Sequence, residues 1–160
     1  KLLTKKYVVG HNLKYDIKLL KVNSGILIKR LYDTMIAEQR LYMGAGYEFG
    51  YDKLVERYVK EALIKSTRNE FIDANPNTFK INYNHLNYLR NDLKHLPTIK
   101  KAQQQKIKQW KQEFLIYGIE NAFVPVVASV MIANGVTSEP VPEEVGMETI
   151  IAFSPIFGKV

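Results

Sequence analysis

A mixed α/β fold, mostly helical with a small parallel sheet, is the class this chain of 160 residues predicts, and three observations lead there. A short apolar run at Tyr7–Gly10 passes straight into a stretch of helical periodicity, and the same sequence of events recurs at Leu31-Tyr32-Asp33. Strands that alternate with helices pair in parallel, because the helix carries the chain back across the sheet. Beyond residue 50 the apolar positions follow helical spacing, and 46% hydrophobic residues suffice for one ordinary core.

The elements follow in order. Tyr7–Gly10 is the first strand, and Leu13–Val22 a helix whose inner face is Leu13, Ile17 and Leu20. Asn12 is expected to cap that helix with its side chain. A second strand near residues 29–32 ends at Asp33, whose expected role is the N-cap of helix Thr34–Tyr42, buried through Met35, Ile36 and Leu41. Gly44, Gly46 and Gly50 mark a loop before helix Tyr51–Tyr58, and residues 64–82, around Asn75-Pro76-Asn77, form a polar connection. Tyr83–Gln109 is a long helical region, continuous through 84–96 and bent near Pro97. Ile119–Asn134 is an apolar helix with Phe123, Val124, Val127, Val130 and Met131 at helical spacing, closed by Gly135. The tail, residues 137–160, has no clear period and stays unassigned.

Composition narrows the function classes. The chain has no cysteine, which excludes disulfides and thiolate metal sites, and no apolar run approaches the length of a membrane span. No membrane partner is therefore expected. Net charge is +7, and the excess is uneven: residues 1–30 hold eight Lys/Arg against one acid, and residues 83–118 hold seven against two. Lys-rich helix faces are often merely solvated. A basic surface around a few acids also suits a polyanionic substrate, with cations against phosphates and carboxylates against metal.

Those two basic segments carry two pairs at the same spacing, Asn12 with Asp16 and Tyr88 with Asp92. Residues four apart share a helix face, so each pair can aim a carboxylate and a hydrogen-bonding partner at one point. Either pair alone is compatible with solvated helix residues, and Asn69 with Asp73 repeats the first spacing. The order of the pieces is more specific. Gly10-His11-Asn12-Leu13-Lys14-Tyr15-Asp16, Leu31-Tyr32-Asp33-Thr34-Met35, Leu54-Val55-Glu56-Arg57-Tyr58, Lys65-Ser66, Phe71 and Tyr88-x3-Asp92 together resemble the DEDD-type 3'–5' exonuclease domain over roughly residues 6–110. The segment Glu120–Ala128 through Asn134-Gly135-Val136 is similar to the helix that joins such a proofreading domain to the body of a family A (polymerase I-like) DNA polymerase.

The resemblance implies a ribonuclease H-like fold, with residues 1–118 as a partial exonuclease domain and 119–136 leading toward a polymerase body in the same parent chain. It implies Asp16 and Asp92 as metal ligands for Mg²⁺ or Mn²⁺ and Tyr88 as the residue that orients the attacking water. Asn12, Tyr15 and Phe71 would contact a single-stranded DNA 3' end. The family's first motif, Asp-x-Glu, occurs nowhere in these residues. The chain, which starts at Lys1, is accordingly expected to be a truncated piece with half its metal cage, inactive alone. A ribonuclease D-like exoribonuclease and a catalytically dead nucleic-acid-binding module of the same fold remain as alternatives. The expected location is the cytoplasm of a bacterium or phage-infected cell. His11 and His95 read as helix-start or surface residues, Trp110 as an apolar anchor, and Lys65 and Arg68 as loop residues open to a phosphate backbone.

Overall fold

The computed structural model describes residues 3–63 and 78–133. After a short turn of 3-10 helix at Leu3–Lys5, strand β1 (Val8–Gly10) leads to α1 (Lys14–Ser24), and β2 (Leu31–Asp33) leads directly to α2 (Thr34–Leu41). Helices α3 (Tyr51–Val59), α4 (Tyr83–Lys94) and α5 (Leu96–Gln109) follow, then a π-helical segment (Phe114–Glu120) and α6 (Asn121–Ala133). The two strands pair in parallel with Val8 opposite Leu31, Val9 opposite Tyr32 and Gly10 opposite Asp33. Helix α1 is the crossover between them, as the strand–helix alternation predicts. Gly25, at φ +68°, ends α1 and donates its N–H to the Lys21 carbonyl. That left-handed turn is one glycine adopts without a Cβ penalty.

The core is built around that βαβ unit. Leu13, Ile17 and Leu20 form the inner face of α1, as their spacing predicts, and they pack with Ile28, Leu31, Val124 and Ala128. Tyr32, Ala37 and Leu41 meet Ile107 and Ile116 on the other side, while Tyr51, Leu54 and Val55 close on Leu96 and Ile99. Each buried Leu, Ile or Val among them contributes about 1.5–3 kcal/mol by leaving water.

A charge sits inside this apolar setting. Glu38 is wholly buried and accepts from the Arg57 guanidinium at 2.5 Å, the Tyr58 hydroxyl at 2.7 Å and Gln103 Nε2 at 2.7 Å. Gln103 also donates to the Thr34 carbonyl and accepts from the Tyr32 hydroxyl, so one network ties β2, α2, α3 and α5 together. Losing one partner of such a network strands a buried charge, a loss of about 3–5 kcal/mol.

One sequence expectation is corrected here. The helix expected to run through 84–96 stops at Lys94 and a new one starts at Leu96, with Pro97 in its first turn. Proline lacks the N–H that a continuous helix would need there, whereas a first turn leaves that N–H unused anyway. In α6 the side facing the core is Val124 and Ala128, whereas Phe123, Val127 and Val130 stay largely exposed. The helix is apolar nearly all round, so periodicity alone could not choose the face that α1 covers. Gly135 and the tail 137–160 lie outside the described residues, as do Asn75-Pro76-Asn77, Asn69 and Asp73. Among the described residues no single helix is long and apolar enough to cross a membrane.

Candidate active site

Everything at the candidate site starts from Asp33, the last residue of β2. Its carboxylate accepts the N–H groups of Met35 and Ile36, which makes it the N-cap of α2, as expected from sequence. It also reaches across to the turn after β1, accepting Asn12 N–H at 3.0 Å and Leu13 N–H at 2.7 Å. One buried carboxylate thus satisfies backbone donors at the start of two helices, α1 and α2, where such donors have no intrahelical partner. Burial holds the Asp33 carboxyl above its usual range, against the downward pull of the four N–H groups.

This brace corrects the role assigned to Asn12. It is not the side-chain cap of α1: the capping position is Leu13, without a side-chain cap bond, and Asn12 sits at φ +57°. Asparagine tolerates the left-handed region better than most residues. Because Asp33 already serves the backbone there, the Asn12 amide is free of capping duty. Both its Oδ1 and its Nδ2 are buried and carry no hydrogen bond within the protein.

One turn further, Asp16 is 1% exposed and both of its carboxylate oxygens are likewise buried without a hydrogen-bond partner. Burial, followed by the nearby Asp33 charge, raises its pKa well above the carboxylate norm, against a weaker downward pull from its own backbone N–H. A buried carboxylate with no donor from another residue is costly as an anion. A divalent cation would remove that cost, and hard oxygen donors of this kind suit Mg²⁺ or Mn²⁺. Asp16 therefore fits as one ligand of such an ion. A full cage is another matter: among the described residues no three His, Cys, Asp or Glu side chains converge into a metal-binding group.

The structure places the other expected residues as follows. Tyr15 is half-buried on α1, with Lys14 Nζ lying 5.0 Å from its ring centre. Tyr88 is buried and Asp92 half-buried, one turn apart on α4, and Asp92 Oδ2 is shielded from solvent. Asn12, Asp16 and Asp33 are thus brought together around the ends of β1 and β2, while Tyr88 and Asp92 share a face of a separate helix. Phe71, Lys65, Ser66 and Arg68 lie outside the described residues.

Both histidines stand at a helix start, as the sequence suggests, but neither is a surface residue. His11 is 2% exposed, in the turn between β1 and α1, with its ring 5.4 Å from Tyr51. The Thr34 hydroxyl donates to the Gly10 carbonyl, so it accepts from His11 Nδ1 at 3.0 Å. Burial lowers the His11 pKa to about 3, against weaker opposing effects of Asp52 and the Phe49 backbone. His95 is also buried, at the break between α4 and α5, 3.5 Å from Glu61.

Asn121, which the sequence reading passed over, belongs to the same frame. Its Oδ1 accepts Asp33 N–H at 2.8 Å and its Nδ2 donates to the Ile116 carbonyl at 2.7 Å. The start of α6 is therefore bonded to the residue that braces α1. No spacing in the sequence signals this contact.

Comparison with known proteins agrees with this frame. Four solved chains match, among them one described as the "apo form of the nuclease" with TM-score 0.72 and 15% identity. The match covers 88% of this chain and 66% of that one, and at this identity it speaks for the fold alone. No curated protein matches. Residues 1–108 match the DNA polymerase A-type family described as 3'-5' exonuclease, which spans the βαβ unit, the Asp33 brace and both carboxylate-bearing helices. The chain belongs to that 3'-5' exonuclease family.

Proposed function

We propose that this chain is the proofreading part of a family A DNA polymerase, removing nucleotides from single-stranded DNA 3' ends. The observation that carries the reading is the buried, unpartnered Asp16 carboxylate beside the equally unpartnered Asn12 amide. The family match over residues 1–108 supports it. Asp16 and Asp92 would hold divalent ions, which supply charge neutralisation at the phosphate and an acidified water. Asn12 and Tyr15 would contact the terminal nucleotide, and the Tyr88 hydroxyl would orient water toward phosphorus as the bond to the preceding 3' oxygen breaks. That 3' oxygen leaves with a proton as the new strand end. Phe71 would stack on a base.

The 160 residues contain no Asp-x-Glu pair, so two aspartates face the work of four carboxylates. By itself the chain should degrade DNA hardly at all. The test is a nuclease assay on an end-labelled single-stranded oligonucleotide, with and without chelator. An extended protein bearing an upstream Asp-x-Glu strand should digest it from the 3' end with Mg²⁺; Asp92→Ala should abolish this and Tyr88→Phe should only slow it. An inert extended protein would overturn the exonuclease assignment. Robust metal-dependent digestion by the 160-residue chain would overturn the claim that the missing pair is needed.

A further inference from the structure

We propose that Tyr47 and Trp110 form a stacking platform for single-stranded polynucleotide, apart from the residues that α1 and α4 contribute to the catalytic site. Tyr42, at the end of α2, is the hub: the Tyr47 ring stands 5.0 Å from it at 81°, and the Trp110 ring 5.7 Å from it at 80°. Tyr47 is 48% exposed and Trp110 42% exposed. Large aromatics left this open beside a packed neighbour offer flat faces to a ligand.

The chemistry of the ligand follows from what already fills the space between the rings. The Arg57 guanidinium lies 4.5 Å from the Tyr47 centre and 5.6 Å from that of Tyr42, and Lys106 Nζ lies 4.8 Å from Tyr42 and 5.0 Å from Tyr58. The protein's own cations thus occupy the positions that a methylated ammonium or a basic peptide would seek. What remains is the exposed part of each ring, with exposed lysines nearby: Lys60, which lines a hollow together with Tyr47, and Lys108 and Lys111, which flank Trp110 in the sequence. Beside Tyr47 lies an open hollow of about 320 Å³, lined by Lys53, Arg57 and Lys60 together with Glu48 and Glu56, and those two acids hold Lys53. Neutral π surfaces joined by anions fit this arrangement. Bases stack on sequence-tolerant aromatic faces while ammonium groups follow the phosphates.

Trp110 is the only tryptophan in the chain, so its emission reports on the platform directly. The probe is a short oligothymidylate titrated into the 160-residue chain in the presence of chelator, because the platform needs neither metal nor cleavage. Saturable quenching is expected. Tyr47→Ala should weaken binding about tenfold and Tyr47→Phe should restore it; the same loss should follow from Trp110→Ala, read by anisotropy of labelled oligonucleotide. Lys60→Ala with Lys108→Ala should lower the logarithmic salt slope by about 1.4. Absence of quenching would overturn the platform, as would unchanged affinity in both alanine variants, or a duplex of equal length binding as well as the single strand. None of these results depends on whether an extended protein digests DNA, so this inference and the exonuclease reading can fail separately.

Discussion

Asp33 holds Leu13: its Oδ2 accepts the Leu13 N–H at 2.7 Å, across the gap from the end of β2 to the first turn of α1. Through that bond and its neighbour to Asn12, Asp33 anchors the start of the helix that carries Asp16. Asp33→Ala would strip acceptors from the N–H groups of Asn12, Leu13, Met35 and Ile36. A loss of about 3 kcal/mol or more is expected, since each buried donor left unpaired costs about 1–3 kcal/mol. Chemical denaturation of the two proteins measures it, and a difference under about 1 kcal/mol would show that water replaces the carboxylate there.

Asp16 should be a stability liability in the absence of metal. Its pKa is raised in the folded chain, so the folded state binds the proton more tightly than the unfolded one. Stability then falls as pH rises from the ordinary carboxylate range toward the raised folded value. Asp16→Asn should therefore raise the denaturation midpoint at neutral pH in chelator, with the gain shrinking on acidification below the usual carboxylate range. A variant less stable than the parent at neutral pH would mean that the carboxylate has a stabilising partner.

The opposite sign applies to His11. Its folded pKa is lowered from 6.5 to about 3, so the unfolded chain binds the proton more readily. The stability tied to neutral His11 is present above pH 6.5 and is lost as pH falls toward 3. The difference between parent and His11→Gln should change by up to about 1.4 kcal/mol per pH unit below that point. Denaturation midpoints at several pH values between 7 and 5 would reveal it, and parallel curves would refute it.

The inward face of α6 can be checked by two matched truncations. Val124 is 3% exposed within the α1 cluster, whereas Val127 is 42% exposed. Val124→Ala should cost about 1–3 kcal/mol through lost contact and a residual cavity. Val127→Ala should stay within about 0.5 kcal/mol. Equal effects would place the core on the other side of the helix.

Local rules determined much of this protein. The apolar run Val8-Val9 and the stretch ending in Asp33 declare strands, Leu13, Ile17 and Leu20 declare the buried side of α1, and Asp33 before Thr34 declares a cap. Each of these signals involves neighbours within a turn or two, where chain geometry alone dictates which residues meet. The family order was legible too, and Tyr88 and Asp92 do stand one turn apart on one helix, whereas Asn12 lies outside the helix that carries Asp16. Tertiary structure decided the rest. Asn12 surrendered its capping role because an acceptor arrived from 21 residues away in sequence. The partner of Asp33's own N–H comes from Asn121, 88 residues on, and no periodicity encodes that meeting. His11 and His95 are buried by elements that pack over them, and Val124 rather than Phe123 faces inward because it is the side of α6 that packs on α1. A sequence fixes which residues share a face; which face is covered, and which polar group is left without a partner, depends on elements that meet only once the chain has folded.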